Sequence, residues 1–132
     1  MHTSVQQVVR ELFGLPAEVC STQEDVLDDF SCALKKTIFV QGRLFCTDYH
    51  LCFYANILGL KIKETVAFSE VLSIENCGKQ TWKSIEVLCA SGKKYIFTSF
   101  TRGSDAIKFI KTLFNNASST HLSDIEERKS YL

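Results

Sequence analysis

The chain opens at helical spacing. Val5, Val8, Val9, Leu12 and Phe13 fall at i, i+3, i+4, i+7 and i+8, one stripe of an amphipathic helix over Ser4 to Phe13. Ser4 and Gln7 have the spacing of a capping box, whose side chains satisfy free amides at a helix start, and Gly14 with Pro16 supplies the stop. Residues 17–26 turn polar and acidic and predict a loop. From residue 27 the period drops to two. Phe30, Cys32 and Leu34 alternate with Ser31 and Ala33, so they share one strand face. A break at Lys35-Lys36-Thr37 precedes a second run, Ile38 to Thr47, interrupted at Gln41-Gly42. Asp48-Tyr49-His50 predicts a hairpin turn. In the third run Leu51, Phe53, Ala55 and Ile57 share one face and Cys52 and Tyr54 the other, with Asn56 to Gly59 as the next turn. Ile62, Val66 and Phe68 predict a fourth strand, Val71 to Asn76 a fifth, Ile85, Val87 and Cys89 a sixth, and Tyr95 to Phe100 a seventh. Turns are predicted at Cys77-Gly78-Lys79-Gln80 and Ser91-Gly92-Lys93. Ala106, Ile107, Ile110, Leu113 and Phe114 return to helical spacing, with Ser104 or Asp105 as N-cap and Asn115-Asn116 as the end.

Seven short strands with turn signals every 8–12 residues predict a mainly β fold, a barrel or sandwich, and an amphipathic helix after the last strand would plug one open end. The expected organisation is an N-terminal helix and acidic loop over 1–26, the β domain over 27–116 and a tail or linker over 117–132. A chain of 132 residues can bury a sizeable core without disulfides or metal. Ten Phe against one Pro fits a β-rich core. No run approaches the roughly 18 apolar residues of a membrane span, and Met1-His2-Thr3-Ser4 lacks the basic and apolar regions of a signal peptide. The six cysteines, Cys20, Cys32, Cys46, Cys52, Cys77 and Cys89, are scattered without a C-x-x-C pair. They predict reduced thiols of an intracellular protein rather than disulfides or metal ligands.

Charge refines the picture. The 15 Lys+Arg and 15 Asp+Glu cancel, which argues against a general polyanion binder. The balance is uneven along the chain. Residues 1–34 hold one basic and six acidic residues, a net of −5, whereas 35–115 hold twelve basic and six acidic, a net of +6. The Phe residues fall mostly at core-facing positions, leaving no stacking platform for nucleic acid. Cys52 with His50 has no evident orienting acid for nucleophilic catalysis. Glu24, Asp25, Asp28 and Asp29 lack the D-x-D-x-D-G pattern of a calcium loop. No catalytic residue, metal or cofactor is therefore expected. Trp82 is expected to begin the sixth strand, partly buried.

Four motifs carry a family resemblance. Asp28-Asp29-Phe30-Ser31-Cys32-Ala33-Leu34, Gln41-Gly42-Arg43-Leu44-Phe45, Cys52-Phe53-Tyr54-Ala55-Asn56-Ile57-Leu58-Gly59 and Phe97-Thr98-Ser99-Phe100 resemble, in order and spacing, a GRAM domain. The likeness spans about residues 12–114 and is greatest to the GRAM domains of Aster/Lam-type sterol-transfer proteins. The chain departs from their pattern at Gln80-Thr81-Trp82-Lys83-Ser84 and at Arg102-Gly103-Ser104-Asp105. The resemblance implies a PH-like seven-stranded barrel capped by the C-terminal helix, and recognition of anionic membrane lipid, phosphoinositide or phosphatidylserine. It implies no sterol transfer by this chain.

In an antiparallel meander the first and third hairpin loops fall at the same end. They hold Lys35, Lys36, Ile38 and Phe39, and Leu58 and Lys61 with Lys63 beyond. The PH-like fold implied by the resemblance adds the strand 6–7 loop with Lys93 and Lys94. Each lysine near an anionic leaflet contributes about 1 kcal/mol, and a fully inserted Phe39 or Leu58 roughly 1.5–3 kcal/mol. Arg43 is a candidate either for phosphate or for a salt bridge to Asp or Glu. The expected function is a non-enzymatic adaptor, cytoplasmic and peripheral to the membrane, in a larger contact-site or trafficking protein. The alternative is a protein-interaction module without lipid affinity, docking a partner through a sheet edge or the groove beside the last helix.

Overall fold

The computed structural model describes residues 12–13, 26–78 and 83–130, with side chains of the last helix described through residue 118. Leu12 and Phe13 are helical. The remainder of the N-terminal stripe, the acidic loop before Val26, Cys20, Trp82 and part of the turn after Cys77 lie outside the described residues.

Alternation of apolar and polar residues builds seven strands: β1 (Asp28–Lys35), β2 (Phe39–Cys46), β3 (His50–Ile57), β4 (Leu60–Ala67), β5 (Val71–Cys77), β6 (Ser84–Cys89) and β7 (Lys94–Thr98). They form one sheet in the order β4-β3-β2-β1-β7-β6-β5, with every pairing antiparallel. The sheet is not flat. Phe53 of β3 and Phe97 of β7 are three strands apart in this order, a separation of roughly 14 Å at the usual inter-strand spacing. Their ring centroids are only 5.9 Å apart, so the sheet curls until both rings meet inside. Leu34, Leu44, Leu51, Phe53, Ile85, Val87 and Phe97 are all buried in that interior.

One end is closed by α1 (Gly103–Ser130), which buries Ala106, Ile107, Ile110 and Leu113. Phe109 packs 5.9 Å from Phe30 at the start of β1, and Phe114 packs 6.2 Å from Phe68 just after β4. The helix therefore caps the end where β1 begins and β4 finishes. The hairpin ends of β1–β2 and β3–β4 lie at the opposite end.

Three sequence expectations need correction. Gln41-Gly42 does not interrupt β2, which runs unbroken because Gly42 faces inward and lets β3 approach closely. Helix α1 does not end at Asn115-Asn116 but continues to Ser130. No Gly or Pro occurs between Ser104 and Leu132, and Asn, Ser and Thr each cost only a few tenths of a kcal/mol to about 0.7 kcal/mol in a helix, so the expected tail 117–132 contains no real stop. Nor does the helix begin at Ser104 or Asp105. The Ala106 amide donates to the Arg102 carbonyl at 2.8 Å, placing the cap at Arg102. Gly103 is needed there, since a Cβ would lie 2.2 Å from Cγ of Lys83. Asp105 sits in the first turn, where a negative charge complements the helix dipole.

The acidic start of β1 is neutralised locally. Arg102 pairs with Asp28 at 2.9 Å, donates to the Asp29 carbonyl at 3.1 Å and stacks 4.7 Å from the Phe30 ring, while Arg43 pairs with Asp29. The five described cysteines form no disulfide with one another, and burial pushes the Cys32 thiol up to about 12. It is protonated and inert near neutral pH.

One polar pair is enclosed by the core. The hydroxyls of Ser84 on β6 and Thr98 on β7 are 2.6 Å apart and buried. Thr98→Val alone leaves the Ser84 hydroxyl unpartnered and is expected to destabilise by about 1–3 kcal/mol. Thr98→Val with Ser84→Ala is expected to recover most of that loss. A urea-denaturation double-mutant cycle checks it: additive losses would show that the two hydroxyls are not coupled.

Candidate functional site

The end opposite α1 is built from hairpin tips. In the first, Lys35 pairs with Phe39 and the Lys36 amide donates to the Ile38 carbonyl at 2.8 Å, closing a three-residue loop. In the second, Ile57 pairs with Leu60 across the two-residue turn Leu58-Gly59. Both turn residues have positive φ, 51° and 88°, and the Asn56 side-chain oxygen accepts from the Gly59 amide at 3.1 Å. Positive φ at both central residues is the type I′ pattern, for which Asn-Gly is the favoured pair. Leucine in this left-handed conformation costs on the order of 1–2 kcal/mol.

Leu58 gains nothing in the core for that cost. Its relative exposure is 103%, and Ile38, Phe39 and Leu60 beside the two turns are 68%, 56% and 66% exposed. Phe39 lies on the outer face of β2. Continuing the β2–β3 register, in which Arg43 faces Tyr54, puts Phe39 level with Leu58. The rim thus presents several large apolar side chains to solvent.

The lysines divide into two sets. Lys61 and Lys63 alternate with Ile62 and Glu64 on β4 and are exposed on the outer face, as is Lys35. Among the described residues no carboxylate lies within salt-bridge distance of Lys35, Lys61 or Lys63. The other three are paired. Lys36 bonds Glu64, Lys93 lies 3.7 Å from the same carboxylate, and Lys94 lies 3.5 Å from Glu86. The Tyr95 hydroxyl and the nearby Glu64 carboxylate hold Lys93 above its ordinary pKa. Its ammonium also sits 4.9 Å from the Tyr95 ring centroid. Because Lys36 and Lys93 reach one carboxylate, the β1–β2 loop, the β6–β7 loop and β4 converge at this rim.

Arg43 is not brought to it. It stands four residues from Phe39, roughly 13 Å along β2, with its guanidinium paired to Asp29. Sequence reasoning also missed Glu64. Glu64 was readable: it occupies an inward position between Ile62 and Val66, where alternation calls for an apolar residue.

A curled seven-stranded antiparallel sheet in this order, closed at one end by a C-terminal helix, is a PH-like fold. Solved structures bear this out. The C-terminal domain of an unknown protein from Leishmania infantum superposes with a TM-score of 0.65 at 22% identity, covering 83% of this chain and 97% of that one. The DH/PH domains of p115-RhoGEF superpose with a TM-score of 0.57 at 11% identity, covering 78% and 33%. The GRAM domain family matches residues 7–119, and the chain belongs to that family. Among curated proteins it is similar to Protein VASCULAR ASSOCIATED DEATH 1, chloroplastic, of Arabidopsis thaliana, 35% identical over 109 residues, covering 81% of this chain and 17% of that protein. It is 33% identical to human Protein Aster-A over 110 residues, covering 82% and 14%. It is 44% identical over 50 residues to the Membrane-anchored lipid-binding protein LAM5 of Saccharomyces cerevisiae, covering 38% and 7%. The chain thus spans less than a fifth of the length of these relatives. No helix among the described residues is long and apolar enough to cross a membrane.

Proposed function

We propose that this GRAM domain is a non-catalytic adaptor that docks peripherally on the cytosolic face of a membrane bearing phosphoinositide or phosphatidylserine, as a recruiting module of a larger membrane-contact or trafficking protein. The observation that carries the reading is Leu58: a leucine fully exposed at a turn whose backbone disfavours it, on a rim that also exposes Ile38, Phe39 and Leu60. Apolar tips inserted into the interface, ringed by Lys35, Lys61 and Lys63, combine burial with attraction to anionic lipid. Lys36, Lys93 and Lys94 add charge that is partly neutralised by Glu64 and Glu86. Arg43 serves the fold through Asp29 in this reading and is left out of the contact surface. Similarity to LAM5, a membrane-anchored lipid-binding protein, supports the class of ligand.

The test is flotation with phosphatidylcholine vesicles containing phosphatidylserine or a phosphoinositide. Lys35→Glu with Lys61→Glu removes two cations that have no carboxylate partner among the described residues, without touching the Glu64 pairs. Lys36 is left alone, because its reversal would set a second carboxylate beside Glu64. At about 1 kcal/mol per charge, the double reversal is expected to weaken binding tenfold or more. Wild-type binding should also fade as salt rises. No flotation at any salt would sink the reading. It would favour docking of a protein partner, for which edge strand β5, with Leu72 exposed, is one of the two sheet edges.

A further inference from the structure

Glu64 is out of place on its strand. Ile62 and Val66, its neighbours on the same face of β4, point into the interior, and the Glu64 side chain is only 17% exposed. A carboxylate in that position is costly unless cations hold it. Two do, and both come from far along the sheet. Lys36 follows β1, three strands from β4 in the order of the sheet, and Lys93 precedes β7, four strands away. On a flat sheet those separations would be roughly 14 and 19 Å. The Lys36 ammonium nevertheless bonds one Glu64 oxygen, and the Lys93 ammonium faces the other at 3.7 Å. An exposed ion pair contributes little, because two long side chains must be ordered to form it in water. Here the carboxylate is mostly out of water, and one anion ties two loops to a strand. The first of those loops carries an apolar tip. The Lys36 amide donates to the Ile38 carbonyl at 2.8 Å, so the anchored residue and the tip share one small backbone ring. Ile38 and Phe39 are themselves 68% and 56% exposed, and the core does little to hold them.

We propose that Glu64 is a positioning residue: by holding Lys36 and Lys93 it fixes the β1–β2 tip relative to β4, so that Ile38 and Phe39 enter the bilayer together with Leu58 and Leu60 of the β3–β4 hairpin. This rests on the membrane-docking reading above. The physical effect is preorganisation. A tip ordered before binding keeps the whole gain of its insertion, whereas a loose tip must be ordered at the membrane and gives part of that gain back. Glu64 touches no lipid in this role, and its effect on binding passes through Ile38 and Phe39.

The test is a double-mutant cycle on binding to phosphatidylcholine vesicles containing phosphatidylserine. Glu64→Gln keeps the shape, removes the charge and leaves the domain more positive, which alone would strengthen binding. The cycle cancels that gain, because it is present with and without the Ile38 side chain. Ile38→Ala is expected to weaken binding about tenfold in the wild type and only about twofold in Glu64→Gln. Lys36→Met breaks the same link from the other side and shifts the net charge in the opposite direction. Its background should likewise reduce the effect of Ile38→Ala to about twofold. Glu75→Gln removes an exposed carboxylate of β5 that has no cation partner among the described residues. It should leave the cost of Ile38→Ala unchanged. An ion pair that only stabilises the fold would lower the melting temperature and leave that cost at its wild-type value. Such additivity in Lys36→Met or in Glu64→Gln overturns the positioning role and leaves membrane docking intact. So does the absence of any effect of Ile38→Ala in the wild type. Absence of binding by the wild type overturns both.

Discussion

Leu58→Asn is expected to cut membrane binding by ten- to a hundredfold while leaving the domain as stable as before or more so. The two halves of this result have different causes. A leucine side chain transferred into the bilayer interface contributes roughly 1.5–3 kcal/mol if fully buried, and each 1.4 kcal/mol is about tenfold in affinity. Within the folded domain that side chain touches solvent only, so its removal forfeits no packing. The backbone at φ 51° then accepts asparagine more readily than leucine, and asparagine followed by Gly59 is the favoured pair for such a turn. Stability is expected to rise by a few tenths to about 1 kcal/mol. Vesicle flotation and urea denaturation on the same preparation check both halves. Unchanged binding would remove Leu58 from the membrane contact. Lost binding with lost stability would mean that the turn rather than the side chain was damaged.

The largest effect on stability is expected at Gly42. A Cβ there would lie 2.5 Å from the Tyr54 carbonyl oxygen, 2.6 Å from Cζ of Phe53 and 2.9 Å from Cβ of Ala55. The first neighbour is backbone and the third is short, so neither can swing aside. The second is the tip of a ring packed 5.9 Å from Phe97 in the middle of the core. Gly42→Ala therefore forces β2 and β3 apart or displaces a central ring. Overpacking of this kind costs about 1–3 kcal/mol and sometimes more, and Gly42→Ala is expected at the upper end because the nearest obstacle is a carbonyl. A fall in the urea midpoint without a change in slope is the expected signature. Phe53→Leu in the Gly42→Ala background should recover less than half of the loss, because the Tyr54 carbonyl remains in the way. No loss of stability in Gly42→Ala would show that β2 and β3 have room to separate.

Much of the fold was legible before any coordinates. The alternation Phe30, Cys32, Leu34 and the run Leu51, Phe53, Ala55 place their residues in the interior, as a period of two requires when one sheet face is buried. The stripe Ala106, Ile107, Ile110, Leu113 is the buried face of α1. The four motifs behind the family resemblance fall on β1, β2, β3 and the β7–α1 junction. What misled was local chemistry read without its surroundings. Gly42 looks like a strand break, yet it is the residue that lets two strands close. Asn115-Asn116 looks like a helix end, yet a weak helix former does not stop a helix already nucleated by packing.

The candidate site divides in the same way. Which loops hold lysine and which hold exposed-looking leucine, isoleucine and phenylalanine was readable from composition between strands. How the charges are spent was not. Lys35, Lys61 and Lys63 differ from Lys36, Lys93 and Lys94 only in having no carboxylate within reach among the described residues, and Arg43 leaves the rim because Asp29 lies beside it. By itself the sequence determined the strands, their faces, the capping helix and the basic, apolar-tipped hairpins, because each depends on neighbours a few positions apart. Only the tertiary structure decided that Leu58 stands in a left-handed turn and that Glu64 joins Lys36 and Lys93. The turn follows from the hairpin register that pairs Ile57 with Leu60. The triad spans residues as many as 57 positions apart, and only the curl of the sheet brings them within bonding distance.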